Sequence, residues 1–127
     1  MAEGMSTFVA GAVLNALGNA SPFSVPAVYA QLHIGPPGAA GTANPATETT
    51  RHGVSFAVAQ GPVMTNDVAV TWANIVGAQD PTHFTAWDAQ SGGNFLFSGT
   101  IESGPYAAGN TLTIPAGNLA VSLQTAS

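Results

Sequence analysis

Apolar residues recur at two spacings along the chain, and the change between them falls near Pro26. Across Met5–Leu17, MSTFVAGAVLNAL, Phe8, Ala12 and Ala16 share one line of a 3.6-residue period. Val9, Val13 and Leu17 form the neighbouring line, which predicts a helix. Ser6 or Thr7 can cap its start, Gly18 suits the left-handed position beyond its end, and Pro22 bars continuation. Leu14 and Met5 widen the stripe, so this helix needs cover from its own domain or from another chain.

Beyond Pro26 the period becomes two. In Ala27–Ile34, Val28, Ala30, Leu32 and Ile34 fall on one face and Tyr29, Gln31 and His33 on the other, a half-buried strand. Val54, Phe56 and Val58 alternate, as do Val68, Val70 and Trp72 after an Asn66-Asp67 turn. Thr82–Asp88 reads as a strand, Ser91-Gly92-Gly93-Asn94 as a turn, and Phe95–Thr100 as the returning arm of a hairpin. Leu112 and Ile114 follow the Gly109-Asn110 turn. Leu119, Val121 and Leu123 follow a turn at Pro115–Asn118. The expected fold is mainly β: a single antiparallel β-sandwich, or a small barrel, of about eight strands with a short N-terminal helix. The 127 residues suit one domain, with residues 1–20 as helix and arm and 27–124 as the sandwich.

One segment has no usable period. Gly35–Gly53, GPPGAAGTANPATETTRHG, is long for a connection in a small domain and holds the densest polar cluster, Glu48, Arg51 and His52. It is expected to act as an interaction arm laid across a neighbour, entered through Pro36 and Pro37, with Glu48 and Arg51 as a loop ion pair.

Composition turns attention to assembly. The chain has six acids (Glu3, Glu48, Asp67, Asp80, Asp88 and Glu102), one base (Arg51), no lysine and a net charge of −5. An ordinary domain is about one quarter charged. A surface of Ala, Thr, Ser, Asn and Gly has little to oppose self-association. Two readings follow: a subunit covered by neighbouring copies or partners, or a particle-borne or secreted monomer kept soluble by hydroxyl and amide groups. One arginine cannot neutralise a phosphate track, so nucleic acid is not an expected partner, and the same shortage argues against anionic membrane surfaces. Met5–Leu17 lacks the basic start of a signal peptide and is too short to span a bilayer.

Little catalytic chemistry is legible. The chain has no cysteine, no phosphate-binding or dinucleotide fingerprint, and no nucleophile elbow. His33 has no acidic or histidine partner close in sequence and is expected as a surface or interface histidine. His83 and Asp88 fall on opposite faces of one strand, and Asp88 is expected to bond backbone N–H groups of the following turn. Trp72, Trp87, Tyr29 and Tyr106 could form a sugar-stacking platform, or core. No catalytic, cofactor or metal residue is assigned, and the chain is not expected to be an enzyme. The residues expected at an assembly interface are Phe8, Val9, Val13 and Leu17 of the helix and Pro36, Pro37, Glu48 and Arg51 of the long loop.

Four pieces recur in a known family: a Leu-His-x-Gly-x-Pro turn from Leu32, a Gly-Thr-Ala-Asn-Pro-x-x-Glu loop at Gly41–Glu48, an Asp-Ala-x-Ser-Gly-Gly-Asn hairpin at Asp88–Asn94, and a closing Ile-Pro-Ala-Gly-Asn-Leu at Ile114–Leu119. In this order and spacing the chain resembles small virion proteins of tailed bacteriophages, with those of actinobacterial phages looking closest. Pro36-Pro37 departs from the more usual Asp-Pro. The resemblance implies an accessory structural protein of the phage particle, made in the host cytoplasm and carried on the virion surface. A capsid decoration subunit, often a trimer, bound to the major capsid protein would be a compact knob. The alternatives are a tail-fibre or tail-tip component, and a carbohydrate-binding module for a host surface glycan. One domain spans only about 40 Å, short for a free-standing fibre.

Overall fold

The computed structural model describes residues 4–78, 80–101 and 107–122. It is mainly β, with one short helix, α1 (Thr7–Leu17), ahead of eight strands. These are β1 (Tyr29–His33), β2 (His52–Gly53), β3 (Val63–Thr65), β4 (Val70–Trp72), β5 (His83–Trp87), β6 (Phe95–Thr100), β7 (Leu112–Ile114) and β8 (Ala120–Ser122). All pairings are antiparallel: a four-stranded sheet in the order β2-β1-β5-β6, and two ribbons, β3-β8 and β4-β7. The sheets stay open rather than closing into a barrel.

The central hairpin is local chemistry made visible. Asp88 Oδ1 accepts the Asn94 N–H at 2.7 Å and Oδ2 accepts the Asn94 side-chain amide at 2.9 Å. Gly92 and Gly93 take the positive φ values, 67° and 76°, that reverse the chain. Alternation then puts Phe84, Ala86 and Phe97 on the inner face with Ala30 and Leu32 of β1, while Thr85, Trp87, Phe95 and Ser98 face outward. A bulge at Ala86/Trp87 keeps Trp87 opposite Phe95. Trp72, Leu112 and Leu119 of the ribbon side complete the core. Gly99 lets the two layers approach, since a Cβ there would lie 2.7 Å from the Phe84 ring and 3.5 Å from the Ala120 carbonyl oxygen.

Asn66 does more than turn the chain. It is buried, its amide donates to the carbonyls of Val68 (2.9 Å) and Pro115 (3.2 Å), and its Oδ1 accepts from the N–H groups of Gly117 (3.0 Å) and Leu119 (2.9 Å). Four bonds use the full capacity of a side-chain amide, tying the β3–β4 turn to the β7–β8 turn.

Three local expectations need correction. Gly18 is not left-handed: its φ is −82° and its N–H still bonds the Leu14 carbonyl in helical register at 2.8 Å. Asn19, at φ 61°, takes the left-handed position, with Asn19 N–H on the Ala16 carbonyl and Ala20 N–H on that of Asn15, a Schellman close one residue later. Val54–Val58 is no regular strand. Its bridge joins Phe56 to Asn66, and Val58 is exposed. Ile34 is also exposed, because pairing along β1 ends at His33. Leu123, expected in the last strand, lies outside the described residues.

The N-terminal segment belongs to this sandwich. Gly4–Ser6 runs along the edge of β6, with Ser98 N–H on the Gly4 carbonyl (2.8 Å), Ser6 N–H on the Leu96 carbonyl (2.9 Å) and a bridge between Met5 and Phe97. Ser6 Oγ then accepts the Val9 N–H and caps α1. The sheet edge is thereby covered, and Val9 enters the core.

Candidate functional site

Two surfaces could carry function: the outer face of the four-stranded sheet and the mouth of the core beneath α1. On the outer face, the long loop folds back over its own sheet. Pro37 is fully buried, and Asn44–Ala46 returns beside β1, with Ile34 N–H on the Asn44 carbonyl (2.9 Å) and Ala46 N–H on the Leu32 carbonyl (3.1 Å). Gly41, at φ +74°, lies flat on the Phe95 ring, where a Cβ would come within 2.6 Å. Only glycine fits there.

His33 sits under this loop, 1% exposed, which corrects the surface reading. Its Nδ1 is 2.8 Å from the Ala43 carbonyl oxygen and its Nε2 is 3.0 Å from Thr85 Oγ1. The carbonyl can only accept, so Nδ1 carries the proton. Nε2 then accepts from the Thr85 hydroxyl, whose oxygen accepts the Trp87 indole N–H at 2.7 Å. The chain of bonds is complete with a neutral imidazole, and burial, opposed by the backbone carbonyls of Ala43 and Asn44, lowers the His33 pKa, with the nearby His83 adding to that direction.

Glu48 and Arg51 go to different partners, not to each other. Buried Glu48 accepts the Val76 N–H at 3.0 Å through Oε1, and Thr47 Oγ1 donates to the Val76 carbonyl. Arg51 Nε reaches Gln31 Oε1 (3.1 Å), and its Nη1 bonds the carbonyls of Ala89 (2.8 Å) and Gly92 (2.7 Å). Its guanidinium centre lies 4.2 Å from the centroid of a Trp87 ring. Asp88, held below the usual carboxylate range by its two Asn94 bonds, adds a nearby negative charge. Arg51 is thus the rivet fastening the loop to the β5–β6 turn. The loop is an arm laid across its own chain, because these partners are all intramolecular.

The second surface is different. Beneath α1 the core opens into a cleft of about 360 Å³. Val9, Val13, Val28, Val54, Phe56 and Phe97 are among its walls, and no charged residue lines it. The partly buried apolar residues that flank the core, Met5, Phe23, Val25 and Met64 included, all border this one opening. Next to it α1 leaves Leu14 64% and Leu17 81% exposed, with Phe8 half exposed and edge-on to Phe23.

The sequence-derived interface residues therefore separate. Val9, Pro37 and Glu48 are buried in their own chain, Arg51 is partly buried, and Val13 borders the cleft. Phe8, Leu17 and Pro36 face solvent. The sugar-stacking platform loses its two tryptophans: Trp72 is fully buried with its indole N–H on the Thr50 carbonyl (2.8 Å), and Trp87 is 9% exposed beneath Arg51, whereas Tyr29 is half-buried. Tyr106 lies outside the described residues. Among the described residues no three His, Asp or Glu side chains come together as a metal site, and no helix is long and apolar enough to cross a membrane. Sequence reading missed the cleft. Its walls come from segments far apart in the chain, and each wall residue alone looks like core.

Residues 4–122 match the model of a protein family described as "Podophage GP4 fiber I protein gp80". Comparison with curated proteins finds no match.

Proposed function

Because the chain belongs to the podophage GP4 fiber I protein gp80 family, a family of phage structural proteins, we propose that it serves as a compact subunit of the tail-fibre apparatus. The family match across nearly the whole chain carries this reading. The physical form agrees with it. A charge-poor domain with an open apolar cleft is suited to being built into a larger object, where that cleft is covered. The capsid-decoration placement draws no support from the family description, which is of a fibre. The actinobacterial host draws none either. A domain about 40 Å across supplies one segment or an attachment collar of a fibre rather than its length. The role is structural, and the expected partners are further copies and other virion proteins.

Position and copy number test the proposal together. Purified particles would be labelled with an antibody to this chain, imaged by electron microscopy, and its copies counted by quantitative mass spectrometry. Label at the tail with tens of copies or fewer is the expected result. Hundreds of copies over the head would return the chain to the capsid.

A further inference from the structure

We propose that Gly35–Ala46 is a strap latched by the neutral imidazole of His33 and released when that ring takes up a proton. The proposal goes beyond the tail-fibre reading and does not depend on it. The latch lies out of solvent, with His33 1% and Thr85 0% exposed. The ring joins two elements: Nδ1 donates to the Ala43 carbonyl of the strap, and Nε2 accepts from the Thr85 hydroxyl of β5. Backbone bonds close the strap over the same spot. Ile34 N–H is on the Asn44 carbonyl, Ala46 N–H on that of Leu32, and Ala43 N–H on that of Pro37 (2.9 Å).

A second proton on the ring has no place while the strap is closed. Nε2–H would have to donate to Thr85 Oγ1, which already accepts the Trp87 indole N–H. Both lone pairs of that oxygen would then be filled, and the Thr85 hydroxyl proton would need another acceptor. Among the described residues none lies within hydrogen-bond distance of it. The imidazolium would also lack a counter-charge. Gly35–Thr47 contains no Asp, Glu, Lys or Arg, and neither does β6. Glu48 is turned to the Val76 N–H, and Arg51 to Gln31, Ala89 and Gly92. Asp80, ahead of β5, is exposed, and Asp88 holds Asn94. The titratable neighbour on β5 is His83, the cross-strand partner of His33, and its charge opposes the same proton.

Lifting the strap brings water to the ring and to the Thr85 hydroxyl, and both costs disappear. Burial, opposed by the carbonyls of Ala43 and Asn44, holds the closed-state pKa of His33 below its ordinary value. The closed strap therefore binds the proton less well than the open one. Its stabilisation is complete above about 6.5 and is lost as pH falls from there toward the closed-state value. Opening uncovers the Phe95 ring, on which Gly41 lies, and the sheet face beside it.

Hydrogen exchange of the full chain, read by mass spectrometry from about pH 7.5 to about pH 5, tests this across the ordinary histidine value. Labelling times are scaled to the intrinsic exchange rate at each pH. Protection of the peptides spanning Ile34–Ala46 should fall with pH, by at most about tenfold per unit, the limit for one proton. Protection of β5 and β6 should hold over the same range. His33→Gln keeps a neutral donor and acceptor but cannot charge, so its strap should exchange independently of pH. Strap protection that ignores pH in the parent overturns the proposal, as does an equal fall in His33→Gln. Simultaneous loss of protection in β5 and β6 also overturns it, because the whole domain is then unfolding. Should His33→Gln not fold, the parent decides. Its His33 ring, followed by NMR, should titrate over the pH range in which strap protection is lost, and titration elsewhere removes the latch.

Discussion

The outer sheet face and the cleft beneath α1 are made from the same charge-poor alphabet, and they end in opposite states. The outer face begins as an exposed row of Gln31, Thr85, Trp87 and Phe95, and the long loop closes it with directional bonds and one glycine that fits a ring. The polar groups discussed there, His33, Glu48 and Arg51 among them, find partners within the chain. Among the described residues, nothing closes the cleft in this way. Its walls are aliphatic and aromatic, they make no hydrogen bonds that would define a lid, and the helix above them turns two leucines outward. A region held by specific polar contacts is finished within the monomer, whereas one held only by apolar contact can be finished by any apolar surface of the right shape.

The contrast can be broken most severely from the loop side. Deleting Ala39–Thr47 removes Ala46 from the core, the carbonyl that partners His33 and the Gly41–Phe95 contact. The expected outcome is loss of a cooperative thermal melt by circular dichroism. An intact melt would show that the loop only decorates the sheet. Next in size, Gly41→Val places a branched side chain at φ +74° against the Phe95 ring. Strain and overpacking together should cost about 2–4 kcal/mol in chemical denaturation.

A pH titration sharpens the comparison further. The folded pKa of His33 is lowered, so the unfolded chain binds more protons and stability rises with pH. The contribution is fully present above the unfolded value, about 6.5, and is lost as pH falls from there toward the folded value. The slope should approach, at most, about 1.4 kcal/mol per pH unit. His33→Gln should flatten this part of the profile at the price of a lower midpoint at neutral pH. Equal slopes in the two proteins would remove the buried imidazole from the explanation. Smallest of the set, Arg51→Lys keeps the charge but loses the planar fork over Trp87 and the bonds to the Ala89 and Gly92 carbonyls. A loss of about 1–2 kcal/mol in denaturant melts is expected.

What could be read from the sequence was whatever neighbours in the chain decide among themselves. The β5–β6 hairpin was legible almost to the residue, and the role of Asp88 with it, because a Ser-Gly-Gly-Asn turn and a period-two pattern are both short-range signals. The helix was legible from its 3.6-residue period and ends at Leu17 as expected, though the left-handed residue that closes it was misplaced by one. Gly18 is free to turn left-handed, but its N–H still gains a helical bond, and Asn19 can take the turn instead. For the candidate site, the apolar helix stripe was visible, but not which of its residues would be exposed.

The sequence by itself determined a mainly β, charge-poor chain with a capped apolar helix. Those properties depend on composition and on spacings of a few residues. Tertiary structure alone decided that His33 is buried, that Asn66 joins two turns, that Arg51 rivets the loop to a hairpin 38–41 residues away, and that Val13 borders a cleft while Leu17 faces solvent. Each of these depends on partners distant in the chain. A polar side chain has no local preference among distant carbonyls, and an apolar stripe is the same in sequence whether its own core covers it or another chain does.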